Sequence, residues 1–135
     1  MKIDVTQVIQ QLDGTPMLVD QEPERNSAGQ VIGLKEGTGQ PATFARTAVD
    51  ALLATFKGEE ELAGSKKLER FKLAEKLHGA MLPVELSEPE AELIKSLACR
   101  AYGTLVYARI DQIITEAKAL ANAARKQQPF REAAE

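Results

Sequence analysis

Ser87 marks a helix start more sharply than any other residue in this chain. Its hydroxyl can accept the Glu90 amide, and the Glu90 carboxylate can reach back to the Ser87 amide. Glu88 and Pro89 suit the first turn, where negative charge meets the helix dipole and a proline sacrifices no hydrogen bond. Leu86, just before the cap, can act as a hydrophobic staple. Beyond it Ala91, Ile94, Leu97, Ala98 and Ala101 recur at helical spacing, predicting a buried stripe and a helix to about Ala101, then a break at Tyr102-Gly103-Thr104.

The same periodicity runs through most of the chain after residue 42. Phe44, Ala48, Leu52 and Phe56, with Ala45, Val49 and Leu53 beside them, predict a helix from Thr43 that Gly58 stops. Glu59-Glu60-Glu61 then reads as a solvated linker. Ser65 can cap the next helix, with Leu68, Phe71, Ala74 and Leu77 as its inner stripe, Leu73 widening it, and Gly79 just past its end. Thr104 can cap a last helix whose apolar face is Leu105, Val106, Ile110, Ile113, Ile114, Ala117, Leu120 and Ala121. From Ala123 the apolar content falls, and Pro129 ends regular helix, so the tail should fray. Aromatics are 4% of the chain and Trp is absent, so the core must be aliphatic.

The N-terminal third is less regular. Val5, Val8, Ile9 and Leu12 have helical spacing, and Asp13-Gly14 would end that helix. Asp-Gly is also a hairpin turn, so a strand over 3–8 turning into Met17-Leu18-Val19 competes with it. Residues 20–42 hold four glycines and two prolines, the composition of a pliable connector. Within them Gln30-Val31-Ile32-Gly33-Leu34 predicts a short strand, paired with Pro16-Met17-Leu18-Val19 into a two-stranded arm around Asn26-Ser27-Ala28-Gly29. Two strands alone are marginal, so the arm must lean on the helices or on a partner.

No constellation for catalysis emerges. His78 is the only histidine and falls near a helix C-terminus, with no nucleophile or orienting partner in view. Cys99, the only cysteine, reads as a small, partly buried helix residue and permits no intrachain disulfide. One His and one Cys cannot assemble a zinc site, and the carboxylates of 59–61 and of Glu85, Glu88, Glu90 and Glu92 lack the ligand spacing of a calcium loop. Gly33-Leu34-Lys35-Glu36-Gly37-Thr38-Gly39 lacks the lysine of a phosphate loop and the frame of a dinucleotide fingerprint. No cofactor and no enzymatic activity are therefore expected.

The net charge is −3, unevenly spread: residues 1–64 hold five Lys and Arg against ten Asp and Glu, and residues 65–135 hold twelve against ten. The basic run Lys66 to Lys76 is diluted by Glu69 and Glu75, leaving a nucleic-acid-associated regulator as the alternative to a protein-binding role. No segment reads as a signal peptide or membrane span, which predicts a protein of the cytoplasm.

The order of segments carries a resemblance. Met1-Lys2-Ile3-Asp4-Val5-Thr6-Gln7-Val8 and Leu12-Asp13-Gly14 open the chain, and Ala51-Leu52-Leu53 follows. Then come Lys67-Leu68-Glu69-Arg70-Phe71-Lys72-Leu73-Ala74-Glu75-Lys76-Leu77, Val84-Glu85-Leu86-Ser87, Glu92-Leu93-Ile94-Lys95 and Tyr102-Gly103-Thr104-Leu105-Val106. Together these resemble small proteins encoded by tailed phages and prophages. The resemblance implies a role in virion assembly or structure, head or tail, in the host cytoplasm or the particle itself, and it supplies no catalytic residues. The fold expected is a mainly α, bundle-like domain of four to five helices with a small N-terminal β-hairpin arm. Residues 1–42 form the arm and connector, 43–126 the helical body and 127–135 the tail. Protein partners are expected, either phage structural proteins or a second copy, contacting Met17, Val19, Val31, Ile32 and Leu34 of the arm or Leu120 of the last helix.

Overall fold

The computed structural model of the protein describes residues 1–59 and 61–127; residues 128–135, and with them nearly all of the expected tail, lie outside the described residues. In chain order the elements are β1 (Lys2–Ile3), β2 (Leu18–Val19), β3 (Pro23–Arg25), β4 (Val31–Leu34), β5 (Gln40–Pro41), α1 (Phe44–Leu53), α2 (Gly64–Leu77), β6 (Val84–Glu85), α3 (Glu88–Ala101) and α4 (Thr104–Gln127). The strands form three antiparallel pairs, β1 with β6, β2 with β5 and β3 with β4. The fold is thus mixed α/β: four helices as expected, with more β structure than a single hairpin.

The helix over 5–12 does not form. Its backbone groups are needed elsewhere. Phe44 and Ala45, in the first turn of α1, donate their orphan amides to Gln7 O (2.8 Å) and Val5 O (2.9 Å). A ring of three main-chain bonds then joins three separate segments. Ile9 N–H donates to Ala42 O (2.7 Å), Ala42 N–H to Met17 O (2.7 Å), and Met17 N–H to Ile9 O (2.9 Å). A helix of eight residues has little stability of its own to set against these partners. Asp13-Gly14 turns the chain back, as the competing hairpin reading requires, with Gly14 at φ 85° and Gln10 bridging Pro16. Val5 and Ile9 are buried, and Leu12 stands in solvent.

The arm exists with different partners from those expected. Val31–Leu34 pairs with Pro23–Arg25 around the Asn26–Gly29 turn, while Leu18–Val19 pairs with Gln40–Pro41. The turn chemistry explains the shorter hairpin: Asn26 Oδ1 accepts the Ala28 and Gln30 amides, and Gly29 takes φ 80°. Gly39 (φ 92°) joins the two pairs where a Cβ would meet Val19 O at 2.9 Å and Gln21 Cγ at 2.7 Å. Thr38 Oγ1 accepts the Glu22 amide (3.0 Å) and donates to Lys35 O (2.6 Å), closing the ribbon between them.

Thr43 caps α1 through the Arg46 amide, but the helix ends at Ala54, before Phe56 and Gly58. The capping box of α3 is complete: Ser87 N–H donates to Glu90 Oε1 (2.9 Å) and Glu90 N–H to Ser87 Oγ (3.2 Å). Leu86 and Ala91, flanking the cap, are buried; Ala101, expected inside, is exposed. Ser65 does not cap α2, which starts at Gly64 with no side-chain cap, and Thr104 lies within α4 rather than before it. Gly79 follows the Leu77–His78 end of α2 at φ 71°, as expected.

Only Leu73, Ala74 and Leu77 of α2 are buried; Leu68 and Phe71 face outward. Each residue turns a helix by about 100°, so successive steps of three drift backwards and reach the opposite side after three steps. The row 68, 71, 74, 77 therefore cannot form one stripe. The core gathers Ile3, Val5 and Ile9 with Phe44, Leu52, Leu77, Leu86, Ile94, Leu97 and Ile110. It is aliphatic as expected, except that Phe44 is its largest fully buried side chain. β1 and β6 were unforeseen: Lys2 and Ile3 pair with Glu85 and Val84, and the Met1 ammonium binds Glu85 Oε1 at 2.9 Å.

Candidate interaction surfaces

The arm tip is formed by its register. Pro23 faces Leu34 and Glu24 faces Gly33, but Arg25 faces Val31, so Ile32 is the extra residue of a bulge. Val31 and Leu34, three apart, would lie on opposite faces of a regular strand; the bulge restores them to one face. Val31, Ile32 and Leu34 are 57%, 62% and 59% exposed. Every residue from Glu22 to Gly37 is exposed.

The other residues expected at a contact lie elsewhere. Met17 and Val19 are half-buried and pack against the core at the base of the arm. Leu120 is exposed on the distal part of α4. The structure thus groups three of the six at the tip, uses two as an anchor and leaves one apart. The anchor is reinforced from α4: Arg109 Nε and Nη2 donate to Gln10 O (2.9 Å) and Gln11 O (2.8 Å). Arg46 of α1 pairs with Asp20 at 3.0 Å, where the chain takes a left-handed step at φ 57°.

A second surface escaped the sequence reading. Leu53 lines three cavities: two between α1 and α2, about 270 Å³ beside Lys67, Arg70 and Phe71 and about 310 Å³ beside Val49, Phe71 and His78, and a third of about 580 Å³ between α1, Val5, Thr6 and the 78–81 segment. Leu53 and Phe71, which line these cavities, are each at least half exposed. The available signal was the angular drift of the α2 row, which places Leu68 and Phe71 away from Leu73 and Leu77.

The acidic and basic clusters resolve into individual pairs. Glu59 is not solvated: Arg70 grips it with Nη1 and Nη2 (3.1 and 2.7 Å), and Arg100, stacked 4.6 Å over the Phe56 ring, adds a contact at 3.1 Å. The Arg70 hydrogen bonds hold its carboxyl below the usual range. Lys76 pairs with Glu90, and Lys118 with Glu88. Lys66, Lys67 and Lys72 make no ion pair among the described residues. Cys99 is exposed rather than partly buried. His78 caps the end of α2, at the rim of the groove. Among the described residues no three His, Cys, Asp or Glu side chains converge to hold a metal, and no helix is long and apolar enough to cross a membrane.

No family model matches this chain, and neither a curated protein nor a solved structure matches it. Two apolar surfaces stand out: the exposed ribbon tip and the α1–α2 groove, edged by Lys67.

Proposed function

We propose that this chain is a non-enzymatic interaction protein, phage-encoded, acting in virion head or tail assembly, with the β3–β4 ribbon as its contact element. One observation carries the reading: Val31, Ile32 and Leu34 stand exposed on a ribbon whose base is tied to the body by the Ile9–Ala42–Met17 ring and by Arg109. Exposed apolar groups held at the end of a fixed arm suit strand addition or insertion into a partner's groove. The phage-like segment order supports the assembly context. Size-exclusion chromatography with light scattering, run with phage capsid and tail proteins, tests it. Co-elution with a structural protein, lost in Ile32→Asp, is the expected result; failure to bind any of them overturns the reading.

A further inference from the structure

We infer that Asp20 and Arg46 form an ion-pair latch across a two-stranded hinge, and that this latch sets the direction in which the arm points. The inference goes beyond the proposed function, since it concerns the arm alone and holds without any partner. The hinge follows from the register. Val19 pairs with Gln40, so the next residues out, Asp20 and Gly39, stand opposite each other. Both take left-handed backbone, at φ 57° and 92°. Asp20 is the one non-glycine residue to do so among the described residues, in a region that costs any side chain, though Asp and Asn least. Farther out the ribbon closes again, where the Glu22 N–H donates to Thr38 Oγ1 and Glu22 O accepts the Lys35 amide at 2.8 Å. Outside the strand pairs, Asp20, Gln21 and Gly39 make no main-chain hydrogen bond among the described residues. A bonded tip and a bonded base thus meet at a bend with no ladder of its own.

The latch spans that bend. Arg46 Nη1 and Nη2 meet Asp20 Oδ2 and Oδ1 at 3.0 and 3.2 Å, a two-point fork that fixes angle as well as distance. Asp50, one turn along α1, holds Arg46 Nε at 3.3 Å and so keeps the fork aimed. Helix α1 itself is seated in the core through Phe44, Ala48 and Leu52. Asp20 is also the last point of attachment. Among the described residues, no hydrogen bond or ion pair runs from residues 21–38 to any residue outside the arm. The latch faces solvent, so salt screens it, and raising the ionic strength should free the tip.

The experiment uses the full chain with two spin labels, one on native Cys99, exposed on α3, and one on Ser27→Cys in the exposed turn of the arm. Pulsed electron spin resonance reads the distance between them. At low salt the labelled chain should give one narrow distance distribution. At about 1 M salt, where the screening length is about 3 Å, that narrow peak should be lost. Asp20→Asn keeps a residue that accepts left-handed backbone and removes the charge, while Arg46→Met removes the fork. Each should lose the narrow peak at low salt. Lys35→Gln breaks the exposed Glu22–Lys35 pair within the tip and should keep it. Circular dichroism checks folding; should Arg46→Met fail to fold, Asp20→Asn, outside the core, decides alone. A labelled chain already broad at low salt overturns the inference. So does a narrow peak that survives high salt, Asp20→Asn or a folded Arg46→Met, and so does equal broadening in Lys35→Gln. The chain is measured by itself, so none of these results bears on whether the arm binds a phage structural protein.

Discussion

Tyr102, at the end of α3, donates its phenolic hydrogen to the main-chain oxygen of Thr47, 2.8 Å away in α1. The bond ties two helices separated in sequence by residues 54–87. Burial, reinforced by the nearby Asp50 carboxylate, pushes the phenol pKa up to about 12. The neutral phenol is the form the folded chain keeps. Its contribution is therefore complete below the usual value of 10.0 and declines as pH rises from there to about 12, because the unfolded chain ionises first. Tyr102→Phe should cost about 1 kcal/mol at neutral pH and flatten the alkaline limb of the stability curve. Urea melts across that range measure both.

Gly39→Ala should loosen the base of the arm. A side chain there sits in the left-handed region and meets the Val19 carbonyl. The backbone cost alone is about 1–2 kcal/mol. Amide exchange should accelerate at Leu18 and Val19 before it does in α3; unchanged exchange there would show that the β2–β5 pair tolerates the methyl group.

Glu59→Gln should alter the acid limb. The carboxyl is held below its usual value of 4.5 by Arg70, so its stabilisation is present above that pH and is lost as pH falls through the lowered value. The variant should lose stability at neutral pH and show a shallower acid decline than the wild type. Limited proteolysis should cut it faster within the 54–63 connection, where Glu59 is the common partner of Arg70 and Arg100.

Ser87→Ala removes the hydroxyl that accepts the Glu90 amide and should cost about 1 kcal/mol by chemical denaturation. A change below a few tenths would mean that water replaces the cap.

These sites differ in how legible they were. The capping box is local, with both partners within four residues, and both of its hydrogen bonds form as read. The Asn26–Gly29 turn is equally local and appears where expected. The failures share a cause: partners distant in sequence. The segment 5–12 had helical spacing, but α1 and Ala42 claimed its carbonyls and amides. Val84 and Glu85 became a strand only because Lys2 and Ile3 arrived beside them. In α2 the signal was present and misread, since a row of i+3 steps drifts around the helix and leaves Leu68 and Phe71 outside. The groove was legible only in that outward turn of Phe71. It needs the α1–α2 packing geometry, which no spacing rule encodes. Glu59, read as solvated, gained Arg70 and Arg100 only when the connection folded back.

The main-chain bond from Ala42 N–H to Met17 O places the two ends of the arm side by side. Residues 18–41 thus leave the body and return to it at nearly the same point, as an insertion does. Few hydrophobic contacts with the core would be lost with them beyond that of Val19. A chain in which a short Gly-containing turn replaces 18–41 should still fold with its four helices, and circular dichroism will report whether it does. By this geometry the arm and the folding of the core are separable: the arm can lengthen, shorten or change sequence while the core it springs from stays as it is.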